Sequence, residues 1–295
     1  MLLQNSLQHG QISNQKGCSS QVINFHRIPL IHPHTTRQAH PCLFLLPFYL
    51  IRFNLLTVKN ETLLPLKVSK SQVDASKKAK LASILYYAQE AAIKAVETDL
   101  GITPDKTNGR GLLWVVARYH FEIERLPELD EDINVLTWQS RMLAFFFIRN
   151  FEILNKDGYP FIKGSSCWSL IDMNNRQVIL PGDYDIIVEN HIRGDELPRP
   201  GKINVKKGAK KAILHCYEKD LDRNNHMNNI VYLDRCVSLI PEEYLRNHTP
   251  ISFDINYKKE LRLNKETELS YYIDSNECGF SSEAFDLLIV FKETI

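Results

Sequence analysis

The first 60 residues contain no aspartate or glutamate, against five lysines and arginines. Residues 61–295 hold 31 basic and 35 acidic side chains, and the whole chain carries a formal charge of only +1. So small a net charge provides no global field to recruit nucleic acid or an anionic membrane. Cysteine is sparse as well: six residues, at 18, 42, 167, 216, 236 and 278, with no C-x-x-C pair. That argues against a zinc ribbon or a dense disulfide framework, and reduced thiols are the simpler reading. Long apolar runs are missing. The run "LFLLPFYLIRFNLL" at 43–56 is broken by Pro47, Arg52 and Asn54, whereas a membrane span needs about 20 mostly apolar residues. No G-x-G-x-x-G and no Walker loop occur, so no cofactor is expected and no stable membrane insertion.

What the acid-poor segment does contain is five of the ten histidines and six glutamines, without a helical or alternating period before residue 43. It lacks the charged start and small-residue cleavage site of a secretory signal. Residues 1–60 read as an extension outside the fold. An organelle transit peptide is the alternative, although that class is usually richer in Ser and Arg. The corresponding locations are cytoplasmic for the first reading and plastid for the second.

From residue 61 the chain acquires periodicity. In 76–102, Leu81, Ile84, Leu85, Ala88, Ala92 and Val96 recur at three- and four-residue steps, which predicts a helix stopped near Gly101. In 111–126 the period changes to two. Val116, Arg118, His120, Glu122 and Glu124 alternate with Ala117, Tyr119, Phe121 and Ile123, as in a half-buried strand. "DINVLTWQSRM", "FFFIRNFEILN" and "PFIKGSSCWSLIDMN" read as three more strands, with turns at "NKDGYP" and "DMNNRQ". Residues 181–211 are rich in Pro, Gly and charge and read as a linker. After them the order repeats: strand in "AILHCYEKDLD", helix in "NNIVYLDRCVSLIP", strands in "ISFDINYKKELRL" and "ETELSYYIDSN". Helix plus strands occurring twice predicts two copies of one α+β unit, at 61–190 and 212–295, joined through 191–211.

"DLDRNNHMNN", 220–229, concentrates two carboxylates, four asparagines and a histidine. As a calcium loop it fails, because the required Gly and Glu positions hold Asn225 and Val231. Part of its asparagine content is explained by capping, with Asn228 standing before the apolar-periodic run. A hydrolytic reading is also open. If the segment is extended, Asp222, Asn224 and His226 point to one side and could hold and activate a water. The N-terminus of the following helix, at Asn228 and Asn229, would offer N–H groups to an oxyanion.

Together with "WVVARYHFEIERLPELDEDINVLTW", "SSCWSLIDMNNRQ" and "INYKKELRL", the stretch "DLDRNNHMNNIVYL" resembles the acyl-acyl carrier protein (acyl-ACP) thioesterases, over about residues 76–275. The resemblance implies a tandem double hotdog: two long helices, each wrapped by an antiparallel sheet. It implies hydrolysis of fatty acyl-ACP, with Asp222, Asn224, His226 and Glu260 as catalytic positions and acyl carrier protein as the partner. Leu261 stands where a cysteine is sometimes proposed, so a cysteine nucleophile is not expected. The first unit would shape the acyl tunnel, with Trp114, Val116, Trp138, Phe145 and Phe147 as candidate lining; ordinary core packing is the competing account of all five. No metal is called for, and a homodimer is compatible with the reading.

"KKGAKK" at 206–211 is either a solvated linker face or a greeting surface for an acidic carrier. The stretch 276–295 departs from the family's pattern, and predicts a shortened sheet with an open edge in the second unit. Two further functions stay on the table. One is an acyl-CoA thioesterase of the same fold. The other is an acyl-binding hotdog protein without activity.

Overall fold

A computed structural model of the chain describes residues 61–98, 111–180, 191–194 and 196–294. The expectations for residues 1–60 therefore lie outside the described residues. The described residues form ten strands: β1 (Glu61–Lys67), β2 (Leu112–Ile123), β3 (Asp132–Leu143), β4 (Phe146–Leu154), β5 (Pro160–Asp172), β6 (Lys210–His215), β7 (His248–Tyr257), β8 (Glu266–Ile273), β9 (Glu277–Ser281) and β10 (Phe285–Glu293). Three α-helices accompany them among the described residues: α1 (Leu81–Thr98), α2 (Asn229–Val237) and α3 (Glu242–Asn247). The predicted helices are both there, but the second is half the length of the first. Residues 238–240, read as its last turn, form separate turns after Ser238.

All ten strands join one antiparallel sheet in the order β1-β3-β4-β5-β2-β7-β10-β9-β8-β6. The two halves meet at β2 and β7, where Arg118–Glu122 pair with Ser252–Asn256. One core serves both. Ile84, Leu85, Ala88 and Ala91 of α1 pack in the same cluster as Phe121 and Ile123 of β2, Phe253 and Ile255 of β7, and Tyr232 and Leu233 of α2. At the junction the Phe121 and Phe253 rings are 5.3 Å apart.

Four local features depart from the sequence reading, each for an identifiable reason. Strict alternation in β2 fails at a bulge between Val116 and Arg118, which puts Val116 on the same face as Tyr119 and Phe121. β1, which Pro65 disguises, lies at the sheet edge, where a missing N–H costs no ladder bond. Lys210 and Lys211 belong to β6, not to the linker. The stretch 276–294 supplies β9 and β10, and β10 lies inside the sheet between β7 and β9, so it leaves no open edge there.

Candidate active site

Residues 220–229 fold as a turn, not as an extended strand. Asn225 adopts φ 60°, its N–H donates to Asp222 O at 3.1 Å, and Asp222 N–H donates to His226 O at 2.8 Å. The alternation argument for Asp222, Asn224 and His226 thus does not apply, because the chain reverses direction between Asp222 and His226. Asp222 Oδ1 accepts from Asn224 N–H at 2.8 Å and from His226 N–H at 3.2 Å, an Asx turn that ties the loop to itself. Asn224 sits exposed at the tip.

The same turn occurs in the first half, 148 positions earlier. Asp74 Oδ1 accepts from Ser76 N–H at 2.8 Å and Lys78 N–H at 3.2 Å, Lys77 has φ 66°, and Asp74 N–H donates to Lys78 O at 2.9 Å. The turn's exit strand is held alike too: Ala79 N–H donates to Pro127 O and Met227 N–H to Leu261 O, each at 2.8 Å. By that correspondence Lys78 and Leu126 occupy the places of His226 and Glu260. The carboxylate that shapes the turn recurs; the imidazole and its partner do not.

His226 and Glu260, 34 positions apart in sequence, are brought together: Nε2 lies 2.9 Å from Oε2. His226 is 8% exposed, whereas Glu260 is partly open to solvent. Glu260 is delivered by the segment that leaves β7. Next to it Leu261 is buried, and its backbone is clamped by Met227 N–H and by the Tyr232 hydroxyl, which accepts from Leu261 N–H at 3.2 Å. Leu261 is thus a core residue. Burial also raises the thiols of Cys216, Cys236, Cys167 and Cys278, the last two to about 11, which disfavours the reactive thiolate.

Below the turn, Asp220 is 5% exposed and accepts from Arg235 Nη2 at 3.0 Å on both oxygens, and from Tyr217 N–H. Asn228 caps α2 through its side chain, which accepts from Ile230 N–H at 3.1 Å, as expected. Its own N–H is taken by Asp220 O at 2.8 Å, which removes it as an oxyanion donor. Asn229 N–H makes no hydrogen bond among the described residues, and stands at the positive end of α2. Two residues that the sequence did not single out touch the site. Arg176 Nη1 is 3.2 Å from Glu260 Oε1, and Arg262 Nη2 is 3.9 Å from Oε2.

The candidate acyl-lining residues divide. Val116, Trp168 and Phe147 lie directly opposite one another across β2, β5 and β4, and Trp114 packs edge-on to Phe147 at 4.8 Å. Phe145 is in the β3–β4 turn, its ring tilted against that of Phe146 at 4.5 Å. Trp138 is on the other face of the sheet, packed with Leu136, Leu154 and Leu197 and crossed by Arg193, so it does not share a wall with Phe147. The basic run at 206–211 is engaged locally: Lys206 pairs with Asp274 and Glu277, Lys211 with Glu268, and Lys210 lies over the Tyr271 ring. No group of His, Cys, Asp and Glu suited to a metal occurs among the described residues.

The helix-and-sheet architecture, doubled along one chain, is that of a tandem hotdog protein. Among solved structures it is similar to the acyl-ACP thioesterase of Bacteroides thetaiotaomicron (TM-score 0.67, 23% identity, covering 79% of this chain and 98% of that one). It is likewise similar to the 12:0-ACP thioesterase of Umbellularia californica (TM-score 0.67, 19% identity, 79% and 98%). The model of the acyl-ACP thioesterase N-terminal domain matches residues 64–183, and that of the C-terminal domain matches residues 204–288. The chain belongs to the acyl-ACP thioesterase family. Relatives include the chloroplastic palmitoyl-acyl carrier protein thioesterase of Cuphea hookeriana, 24% identical over 74% of this chain. Another is the chloroplastic oleoyl-acyl carrier protein thioesterase of Coriandrum sativum, 27% identical over 50% of it. The chain spans about half the length of the curated relatives it matches, 56% and 44% for these two.

Proposed function

We propose that this protein hydrolyses the thioester between a fatty acyl chain and acyl carrier protein, releasing the free fatty acid and the carrier thiol. The observation that carries the reading is the His226–Glu260 pair at 2.9 Å, set at the mouth of α2 in a chain matched by both domains of the family. Glu260 is the base. Its carboxylate takes a proton from water as the water oxygen attacks the thioester carbonyl carbon. His226 lies against Glu260, Nε2 to Oε2 at 2.9 Å, and helps to hold the carboxylate in place. The carbonyl oxygen, now negative, faces Asn229 N–H at the helix end. Collapse breaks the C–S bond, and the proton taken by Glu260 goes to the departing sulfur. Asp222 serves the site by holding the turn that presents His226, and Asn224 stands at the turn's exposed tip, facing incoming substrate.

Division of labour follows the two halves. The first, 61–190, provides the apolar wall of Trp114, Val116, Phe147 and Trp168; the second, 212–295, provides the chemistry. Relatives named chloroplastic and an acid-free stretch at 1–60 support a plastid location, which a fluorescent reporter fused behind residues 1–60 tests.

The reading is tested by fatty acid release from acyl-ACP and acyl-CoA panels, using the full chain beside His226→Ala and Glu260→Ala. Release from acyl-ACP that drops about 10²–10⁴-fold in either variant is expected. Folded wild-type protein that releases nothing overturns the proposal, and release from acyl-CoA alone replaces the carrier protein as partner.

A further inference from the structure

We infer that Arg176 is the positioning residue for Glu260, reaching it from the other half of the chain. This rests on the catalytic reading of Glu260 given above. Three observations lead to it.

The first is how the carboxylate is held. Oε2 faces His226 Nε2 at 2.9 Å and Oε1 faces Arg176 Nη1 at 3.2 Å. A glutamate side chain has three rotatable bonds, and the last is a broad, weakly preferred torsion. One contact leaves such a carboxylate free to swing about that contact. Two contacts, one per oxygen, fix the plane of the group as well as its place. Arg262, at 3.9 Å from Oε2 and more exposed than Arg176, lies outside hydrogen-bond range and cannot do this.

The second is the backbone of Arg176 itself. Its φ is 59°, in the left-handed region that glycine and asparagine tolerate best. The turn around it closes without the arginine side chain. Arg176 N–H donates to Asp172 O and Asp172 N–H to Gln177 O, each at 2.9 Å, and Asp172 Oδ1 accepts from Asn174 and Asn175 N–H. A long cation therefore occupies a position where the turn favours a small residue. Six non-glycine residues among the described ones have a positive φ, and what sets Arg176 apart is that its side chain is held against Glu260.

The third is placement. The turn follows β5, whose Leu170 lies opposite Trp114 and whose Trp168 lies opposite Val116 and Phe147. Arg176 so ties the end of the sheet that carries the apolar wall to the carboxylate that would act on the thioester.

These observations give substitutions whose effects on stability and on turnover run in opposite directions. Arg176→Gly relieves the left-handed strain and leaves Glu260 held at one oxygen. In the full chain, with fatty acid release from acyl-ACP as the assay, it should lower kcat about 10- to 100-fold, the scale of a misplaced reacting group. KM should change little, and Tm should stay equal or rise. Arg176→Lys, which keeps the charge, should give an intermediate kcat. Wild-type kcat in Arg176→Gly, alongside loss of activity in Glu260→Ala, overturns this inference and leaves the function standing. A kcat loss that comes with a lowered Tm marks a structural role and also overturns it. If wild type releases no fatty acid, the functional reading fails and this inference fails with it.

Discussion

At the scale of single residues, the two aspartates at 74 and 222 separate shape from chemistry. Each accepts two backbone N–H groups in the same turn, but only the turn of Asp222 presents a histidine. Asp74→Ala and Asp222→Ala should each cost about 1 kcal/mol, the usual worth of a side-chain acceptor that caps backbone donors. Urea unfolding measures this. Acyl-ACP release should fall only in Asp222→Ala; equal loss of activity in both would mean that neither turn has a special tie to the site. What the sequence revealed here is uneven. His226 stood out in the polar cluster itself, whereas Glu260 was legible only through the family resemblance, since nothing in their spacing brings them together; a loop leaving β7 and a turn before α2 do that. The pairing of Asp220 with Arg235 was hidden because a buried ion pair looks, in sequence, like two surface charges. Arg176 was hidden because contacts across 84 positions leave no local signal.

At the scale of elements, two strand features carry predictions. Gly164 on β5 faces Phe121 on β2, and an added Cβ would come within 2.2 Å of that ring. Backbone and a buried aromatic leave no room to yield, so Gly164→Ala should destabilise by about 1–3 kcal/mol, read as a lower urea midpoint; an unchanged midpoint would show that the strands can spread. On the opposite face of the β2–β7 seam, His120 Nδ1 lies 2.9 Å from Asp254 Oδ1, and Glu122 is 3.7 Å from its other nitrogen. The Asp254 hydrogen bond holds the imidazole above its ordinary value, burial opposes this, and the carboxylate charges add to the rise. The folded protein then keeps a proton that the unfolded chain sheds near pH 6.5. The stabilisation is complete below that pH and is lost as pH rises through the folded value. Tm should fall across this window, and Asp254→Asn should flatten the fall. Element prediction succeeded where periodicity was undisturbed, as in α1 and β5. It missed β1 through Pro65, and β9 and β10 because the resemblance weakened there while alternation in "FDLLIVFKE" persisted unread.

At the scale of the molecule, the continuous sheet and shared core make the two halves one folding unit. Heating residues 61–294 should give a single calorimetric transition with equal van't Hoff and calorimetric enthalpies; two transitions would show that the β2–β7 seam is a weak joint. The doubled turn has a consequence for counting. A pair of identical hotdog subunits would repeat every loop, and so every reactive centre, twice. Here the first-half copy carries Lys78 and Leu126 where its counterpart carries His226 and Glu260, so the proposed chemistry would have one centre per polypeptide. Active-site titration should return one equivalent per chain. The silent copy is then bound only by the geometry of its turn, and is free to diverge in every side chain that does not hold that geometry.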